Sequence, residues 1–465
     1  MSNRDVVWIT LESVRQDHTS LSGHERDTTP FLRELADSPG GTAFRDCHSH
    51  ALWTRPSSAS ILTGTAPSRH RVWSYDAALP GDIPTIPEQF AAAGYRTAAV
   101  SPNAQLSDAT GLDAGFDDFH YLGRETLLRE AGVATTLRYL ANIRRHSAGF
   151  TRDTSKHSLG YLNRSIATRH IRRAAREDDP LFLYLHLGDS HHAYYPPGGI
   201  RDRFADDLDL PMDRALEVAA DMSERTHEHI ARGLPFDDDE WNAIEVMYDT
   251  VVSYVDSIAE AVVAEARERL DDPVVVVTAD HGEFLGEHGL LAHMLVPHTC
   301  VTNVPLVVYG LDVPDAAADG LVQHADVFSM IAADCGLDLS VPIGRDVRAD
   351  PREFAVTQRG PDRAARKIEK FREYVPAFDA SGFREGVVTS LRSREFRYQR
   401  GDDGADLYRL PDETTPVGDD HPEVRDAMDA AADDWLDAFG RGASDRRTAS
   451  FTEGMQRQLR DLGYL

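Results

Sequence analysis

Cysteine and long apolar runs are scarce in this sequence of 465 residues. The three cysteines, Cys47, Cys300 and Cys335, are far apart and odd in number, which argues against a disulfide framework and a thiolate metal site. No apolar run approaches the roughly 20 residues that a helix needs to cross a bilayer. Residues 1–9 also lack the hydrophobic stretch and cleavage site of a signal peptide. We therefore expect a cytoplasmic protein without a transmembrane segment.

Lysine is almost absent, and acidic residues far outnumber basic ones. Lys156, Lys367 and Lys370 are the only lysines among 49 basic residues, against 77 acidic residues, and the net charge is -28. Such acidity is typical of halophilic proteins, whose carboxylates keep the surface hydrated. Nucleic acid is not expected as a partner, because polyanions bind dense basic patches. The Arg-rich residues 138–176 also contain acids, and they form either solvated helix faces or a patch for lipids or polyanions.

Apolar runs rich in β-branched residues predict five buried strands, at residues 6–10, 97–100, 181–187, 274–278 and 304–309. Helical patterns lie between them, at residues 29–36, 86–93 and 241–270. This alternation predicts an α/β fold, with a large mixed, mostly parallel sheet covered by helices on both faces. The oligomeric state stays open.

The composition of the sequence changes after about residue 350, where short charged segments replace the long apolar runs. Candidate antiparallel strands lie at residues 387–391 and 396–399, and a final helix is expected at residues 422–439. We therefore divide the chain into a catalytic domain, residues 1–350, and a smaller C-terminal α+β subdomain, residues 351–465.

Polar residues follow three of the predicted strands, where ligands gather in open α/β sheets. Glu12 follows the first strand, residues 189–192 follow the third, and Asp280 and His281 follow the fourth. Carboxylates and a neutral imidazole are suitable ligands for a divalent cation. Each of these residues, taken singly, also has a structural interpretation. Glu12 is as consistent with a salt-bridged surface acid as with a metal ligand, and residues 280–283 could form a plain turn. His293 or His298 could be an ordinary hydrogen-bonded loop or core residue.

Residues 51–64 predict the start of a short helix. Pro56 suits the first turn, Gly64 suits the position after the end, and Thr54 lies at or just before the N-terminus. The unpaired backbone N–H groups and the helix dipole there would favour an anionic ester. The alternative is that Thr54 only caps the helix.

These motifs, taken together and in order, resemble those of the sulfatase family of the alkaline phosphatase superfamily. The resemblance covers almost the entire chain. It rests on an acid after the first strand, on the nucleophile signature, on a histidine-rich segment before two prolines, and on the Asp-His-Gly-Glu motif with Gly-Glu-His-Gly after it. These motifs are met by Glu12, residues 54–64, residues 191–197, residues 280–283 and residues 286–289.

The resemblance implies an alkaline phosphatase-like fold and one divalent metal ion, Mn, Mg or Ca, with Zn as a further option. The implied metal ligands are Glu12, Thr54, Asp280 and His281. For the mechanism, we expect that Thr54, bound to the metal, is the nucleophile, that His191 and His293 donate hydrogen bonds to the ester, and that His298 is a weaker candidate for protonating the leaving oxygen. Asn103, His191 and His293 are the expected substrate-binding residues.

The sequence departs from the family pattern at four positions. Sulfatases oxidise the signature Cys or Ser to formylglycine, and Thr54 cannot form that aldehyde because its β-carbon carries a methyl group. Ser58 stands where the signature arginine belongs, Asn103 lies near the place of a Lys-x-His pair, and His293 stands where many members have a lysine. In having an unmodified threonine at the nucleophile position, the chain resembles lipoteichoic acid synthases and related phosphotransferases.

The sequence thus predicts a metal-dependent hydrolase of a sulfate or phosphate ester, acting on a small-molecule or glycan ester through Thr54. One alternative is a phospho-group transferase or phosphodiesterase that acts on a glycan or headgroup. Another is a catalytically degenerate binding protein that retains the fold.

Overall fold

The computed structural model describes residues 4–149, 156–177 and 179–461. Its strands are β1 Val6–Leu11, β2 Gly41–His48, β3 Ala77–Ala78, β4 Arg96–Ser101, β5 Asp118–Tyr121, β6 Leu181–Leu187, β7 Val274–Ala279, β8 Phe284–Leu285, β9 Leu291–Ala292, β10 Asn303–Tyr309, β11 Leu321–Gln323, β12 Ala355–Arg359, β13 Val388–Arg392, β14 Phe396–Gly401, β15 Gly404–Arg409 and β16 Arg447–Thr448.

The helices alternate with these strands in the first three quarters of the chain. They are α1 Pro30–Asp37, α2 Thr54–Thr63, α3 Pro67–His70, α4 Ile86–Ala92, α5 Leu127–Ala131, α6 Val133–Ala141, α7 Ile143–His146, α8 Gly160–Glu177, α9 Met212–Glu224, α10 Thr226–Ala231, α11 Asp238–Arg269, α12 Thr299–Thr302, α13 Asp315–Ala318, α14 His324–Cys335, α15 Asp362–Tyr374, α16 Pro422–Phe439 and α17 Glu453–Asp461.

The main sheet has eight strands in the order β11-β2-β10-β7-β1-β6-β4-β5. Strands β7, β1, β6, β4 and β5 are parallel to one another, and β10 runs antiparallel to its neighbours β7 and β2. β1 and β7 are buried along their whole length, as expected for central strands covered on both faces.

Helices cover both faces of this sheet. Helices α8 and α11 pack on one face, where α11 also contacts α1 and α9. Helices α4 and α14 lie on the other face, where Phe90 stacks on Phe182 at 4.3 Å between ring centroids and Phe328 stacks on Trp8 at 4.4 Å. All four rings belong to one hydrophobic core. The predicted α/β fold with a mostly parallel sheet is therefore confirmed.

A second, antiparallel sheet has the order β12-β13-β14-β15. Met428 and Ala432 of α16 pack against Leu391, Tyr398 and Leu407 of this sheet. The predicted C-terminal α+β subdomain is therefore confirmed, while the division of the chain at residue 350 stays a prediction.

A side chain joins the two sheets. Nε2 of Gln323, at the end of β11, donates to the Val356 carbonyl, and the Val356 N–H donates to Gln323 Oε1, both at 2.9 Å. Backbone pairing between Ala51 and Gln358 extends the connection. In the part of the chain that the structure describes, no helix is both long and apolar enough to cross a membrane.

Candidate active site

The carboxyl ends of three neighbouring strands meet at one edge of the main sheet. β1 leads to Glu12, β7 leads to Asp280, and β6 leads toward His191. Because β6, β1 and β7 are parallel neighbours, these side chains emerge side by side. The first residue of α2, Thr54, lies against them. Four distant stretches of sequence therefore contribute to one site.

Thr54 lies between Glu12 and His281. Its Oγ1 donates a hydrogen bond to Glu12 Oε1 at 2.9 Å and lies 3.3 Å from His281 Nε2. The predicted helix runs from Thr54 to Thr63, and Gly64 follows it in the left-handed conformation, with φ of 61°. Because Thr54 is the first residue of α2, the N-terminal N–H groups of this helix lie beside it, where they favour an anion.

Glu12 is held by three donors. Besides Thr54, its Oε1 accepts a hydrogen bond from Asn103 Nδ2 at 2.5 Å, and its Oε2 lies 3.2 Å from His186 Nε2. Burial raises the pKa of the Glu12 carboxyl, but the hydrogen bond and charge of His186 outweigh burial and lower that pKa to about 2. Glu12 is therefore an anion near neutral pH.

His186 is a site residue that the sequence analysis missed. It lies in β6 and is fully buried, and burial opposes its positive charge, but the Glu12 carboxylate raises its pKa. The available signal was a single histidine inside a strand of otherwise aliphatic and aromatic residues, since buried charges need a partner. That signal does not name the partner, which only the pairing of β6 with β1 reveals.

Backbone donors orient the Asp280 carboxylate. Its Oδ1 accepts hydrogen bonds from the N–H groups of Ser13 and His281, at 3.1 and 3.0 Å. Its Oδ2 is buried, accepts no hydrogen bond from the described residues, and lies 3.4 Å from His281 Nε2. The next residue but one, Gly282, leaves no room for a side chain, because a Cβ there would lie 2.0 Å from the Cys300 carbonyl oxygen.

The neutral tautomer of His281 adds a lone pair that suits a cation at these atoms. His281 Nδ1 lies 2.8 Å from the Gly282 carbonyl, which only accepts, so Nδ1 carries the proton and Nε2 presents a lone pair in the neutral ring. That lone pair faces Asp280 Oδ2 and Thr54 Oγ1. Two buried acceptors 3.4 Å apart repel each other unless a positive charge lies between them.

The expected ligand set is therefore assembled around one point. Glu12 and Thr54 supply oxygens, and Asp280 and His281 supply an oxygen and a nitrogen, a mixture suited to Mg, Mn or Zn. The carboxylates of Glu12 and Asp280 also form, with His186, a group whose ligand atoms lie within 4.8 Å of one another. These residues fit a divalent ion, and its identity stays open.

His191, His192 and His293 cluster beside this point. The ring centroids of His293 lie 4.4 Å from His281 and 5.1 Å from His191. Burial lowers the pKa values of His191 and His293 below the ordinary histidine value, so both rings are neutral near pH 7. His191 Nδ1 donates to the His192 carbonyl at 2.6 Å, so the neutral ring has an acceptor at Nε2. Donation from His191 to an ester would require the protonated ring.

His293 has the opposite arrangement. Its Nδ1 lies 3.0 Å from Oε1 of Glu283, and burial raises the pKa of the Glu283 carboxyl well above its usual range. The protonated carboxyl donates to Nδ1, and His293 Nε2 then carries the ring proton. His293 is thus in the form that donates a hydrogen bond.

His298 contacts a different group of residues. It begins α12, where its Nδ1 accepts a hydrogen bond from the Cys300 N–H at 3.2 Å, and its ring lies 4.7 Å from that of His288. Its Nε2 lies 3.9 Å from Glu413 of the C-terminal subdomain. The structure does not place His298 in the cluster of His191, His192 and His293, and its predicted catalytic role stays a prediction.

Helix α15 brings two cations from the C-terminal part of the chain, and the sequence analysis missed both. Arg363 donates to the His293 carbonyl at 3.1 Å and lies 4.4 Å above the ring of Trp53, the neighbour of Thr54. One turn later, Lys367 Nζ lies 2.8 Å from Nε2 of His227. Burial, with the charge of Arg363, lowers the Lys367 pKa to about 7. No motif marks these positions.

The sequence profile of the sulfatase family matches residues 4–336. The chain belongs to the sulfatase family. A sulfatase of Escherichia coli (strain K12), named "Uncharacterized sulfatase YidJ", is 22% identical in an alignment of 417 residues, and the match covers 85% of this chain and 80% of the relative.

Solved structures share the fold of this sulfatase. The phosphonate monoester hydrolase of Agrobacterium radiobacter matches with a TM-score of 0.67 and 18% identity, over 94% of this chain and 95% of the other. BT4656, in complex with its substrate D-glucosamine-2-N,6-O-disulfate, matches with a TM-score of 0.64 and 16% identity, over 93% and 97% of the two chains. The predicted family is confirmed, and so is the enzyme class, an ester hydrolase of the sulfatase family.

Proposed function

We propose that this sulfatase-family member hydrolyses a phosphate ester of a small molecule or glycan, with Thr54 as the nucleophile and a divalent ion at Glu12, Thr54, Asp280 and His281. The observation that carries the proposal is the position of Thr54 Oγ1, at the start of α2 and 2.9 Å from Glu12 Oε1. A threonine cannot form the aldehyde on which the sulfatases' chemistry depends, and an unmodified hydroxyl favours phosphorus over sulfur.

The chain itself supplies the binding and orientation of the ester. A divalent ion, when bound, would lower the pKa of the Thr54 hydroxyl and neutralise charge on the ester. His293 donates a hydrogen bond from Nε2 to a nonbridging oxygen, and the N-terminus of α2 favours the same negative charge. Arg363, next to Trp53 and His293, adds a positive charge beside the site.

Two displacements complete the hydrolysis. Thr54 Oγ1 forms a bond to phosphorus while the bond from phosphorus to the leaving oxygen breaks, in line. As this bond forms, the Thr54 proton leaves its hydrogen bond to Glu12 for the unprotonated Nε2 of His191, which then gives it to the leaving oxygen. Water, losing its proton to the same nitrogen, next attacks phosphorus and releases Thr54, which recovers that proton.

The experiment compares hydrolysis of an aryl sulfate, a phosphomonoester and a phosphodiester by the manganese-loaded enzyme. We expect one of the two phosphate esters to be cleaved faster than the sulfate. Mass spectrometry of enzyme quenched during turnover should find a phosphate group on the peptide that contains Thr54. Preferential cleavage of the sulfate would contradict the assignment to phosphorus, and turnover without any modified threonine under single-turnover conditions would contradict the role of Thr54.

A further inference from the structure

Helices α5 and α6 expose apolar side chains to solvent. Among the described residues, the large hydrophobic side chains that are exposed are Leu128, Val133, Leu137, Leu140 and Tyr374, so four of the five lie on these two helices. Val133, Leu137 and Leu140 are 62%, 60% and 42% exposed. Their spacing of four and three residues places them on one face of α6, and Thr136 and Tyr139 face the interior instead.

The same segment is basic, in a chain that is strongly acidic. Residues 127–149 expose four arginines, at positions 129, 138, 144 and 145, and their single acid is Glu130. The Glu130 side chain is only 10% exposed, because it pairs with His120 at 2.7 Å and with Arg129 at 2.6 Å. This surface of leucine, valine and arginine therefore presents positive charge only, although the chain carries 77 acidic residues.

The surface faces the same side of the molecule as the candidate active site. The segment follows the carboxyl end of β5, which is parallel to the strands that lead to Glu12 and His191. It is also tied to the chain just after the histidine-rich segment, residues 191–197, because the Gly199 N–H donates to the Arg145 carbonyl at 2.9 Å. A partner bound to this surface would lie on the side from which esters reach Thr54.

We propose that residues 127–146 dock this protein onto an anionic lipid surface. Apolar side chains flanked by arginines match the boundary between acyl chains and headgroups, where the leucines are buried and the arginines meet anionic headgroups. The remaining acidic surface opposes binding only within the Debye length, roughly 8 Å at physiological salt. Docking does not depend on which ester the site hydrolyses.

Cosedimentation of the full-length protein with vesicles tests this proposal. We expect binding to vesicles of phosphatidylcholine with phosphatidylglycerol, weakening as salt rises, and little binding to phosphatidylcholine alone. The double variant Arg144→Gln/Arg145→Gln should bind about 30-fold more weakly, since each basic residue near an anionic surface contributes about a fivefold increase in partitioning. Leu137→Ser/Leu140→Ser should also lose most binding, because these side chains no longer enter the apolar layer.

Matched controls lie outside the surface. Arg45, with a side chain 82% exposed, and Tyr374, 44% exposed, provide Arg45→Gln and Tyr374→Ser, which should bind the vesicles as the unaltered protein does. All the substituted side chains are exposed, so the folded state should persist in each variant. Absence of binding to the anionic vesicles, or undiminished binding by both double variants, would overturn the proposal. So would a dimer in solution that the leucine substitutions dissociate, since the surface would then be covered by a second copy of the chain.

Discussion

Thr54 and Glu12 are 42 residues apart in sequence, and a buried hydrogen bond of 2.9 Å joins their side chains. The Glu12 carboxylate is ionised, so the hydroxyl proton points toward it and the oxygen lone pairs point away. The Thr54 oxygen therefore presents its lone pairs to the space beside Asp280 and His281.

Thr54→Ala should abolish ester hydrolysis, and Thr54→Ser should retain most of it, because serine keeps the hydroxyl that the chemistry requires. Hydrolysis of the preferred ester by both purified variants measures the difference, and circular dichroism checks their folding. Thr63→Ala, at the other end of α2, is the matched control and should remain active. Full activity in the Thr54→Ala variant would exclude Thr54 as the nucleophile.

Binding of the divalent ion should stabilise the folded protein. A ligand at one hundred times its dissociation constant contributes about 2.7 kcal/mol to the free energy of unfolding. The Tm of metal-free protein should therefore rise by several degrees when manganese is added, and Asp280→Asn should remove that rise. Glu287→Gln, a change at a half-exposed acid outside the ligand set, is the control. An unchanged manganese response in Asp280→Asn would contradict the assigned ligand.

His186→Gln should weaken metal binding by about 10- to 100-fold, because His186 positions the Glu12 carboxylate rather than touching substrate. Calorimetric titration of the metal-free protein measures the affinity. His229→Gln replaces another buried histidine, on α10, and should leave the affinity unchanged. If added metal restores turnover in the His186→Gln variant, the residue acts through the ion site; if it does not, the positioning role is wrong.

Arg363→Met should lower kcat/KM by about tenfold or more, mainly through KM, because the guanidinium beside Trp53 attracts the anionic ester. Methionine retains part of the apolar volume of the side chain. Initial-rate measurements separate KM from kcat, and Arg366→Met, an exposed residue of the same helix, is the control. An unchanged KM for an anionic ester would show that Arg363 only supports the fold.

Lys367 should make stability depend on pH. Burial lowers its pKa from 10.5 to about 7, so the unfolded chain binds more protons than the folded chain between these values. The free energy of unfolding therefore rises with pH in that window, by up to about 1.4 kcal/mol for each pH unit. Lys367→Met should flatten this rise in Tm, and the exposed Lys370→Met should not. Equal pH profiles for the two variants would contradict the prediction.

Local patterns were sufficient to predict most of the central sheet. The apolar run of β6 was predicted with the observed bounds. Each of the other four predicted strands is one residue shorter than the observed strand at one end or at both ends. The pattern did not predict β2, because Arg45 and Asp46 interrupt its apolar residues. Strand β2 is held instead by its long pairing with β10, which depends on distant residues.

The residues of the candidate site also fall into two groups, those that sequence patterns reveal and those that depend on tertiary packing. Thr54, Glu12, Asp280 and His281 occupy strand ends or a helix start, places that sequence patterns reveal. His186 and Arg363 depend on tertiary packing, one on the pairing of β6 with β1 and the other on α15 reaching back to His293. Neither relation has a signature in sequence.

The paired hydrogen bonds of Gln323 with Val356 act like one rung of backbone β-pairing supplied by a side chain. Rotation of the small antiparallel sheet away from the large one would break both bonds at once and expose two amide groups to the apolar interior. The two bonds therefore oppose rotation of one sheet against the other, and α15, which follows β12, keeps the Arg363 guanidinium at the His293 carbonyl and the Lys367 ammonium at His227.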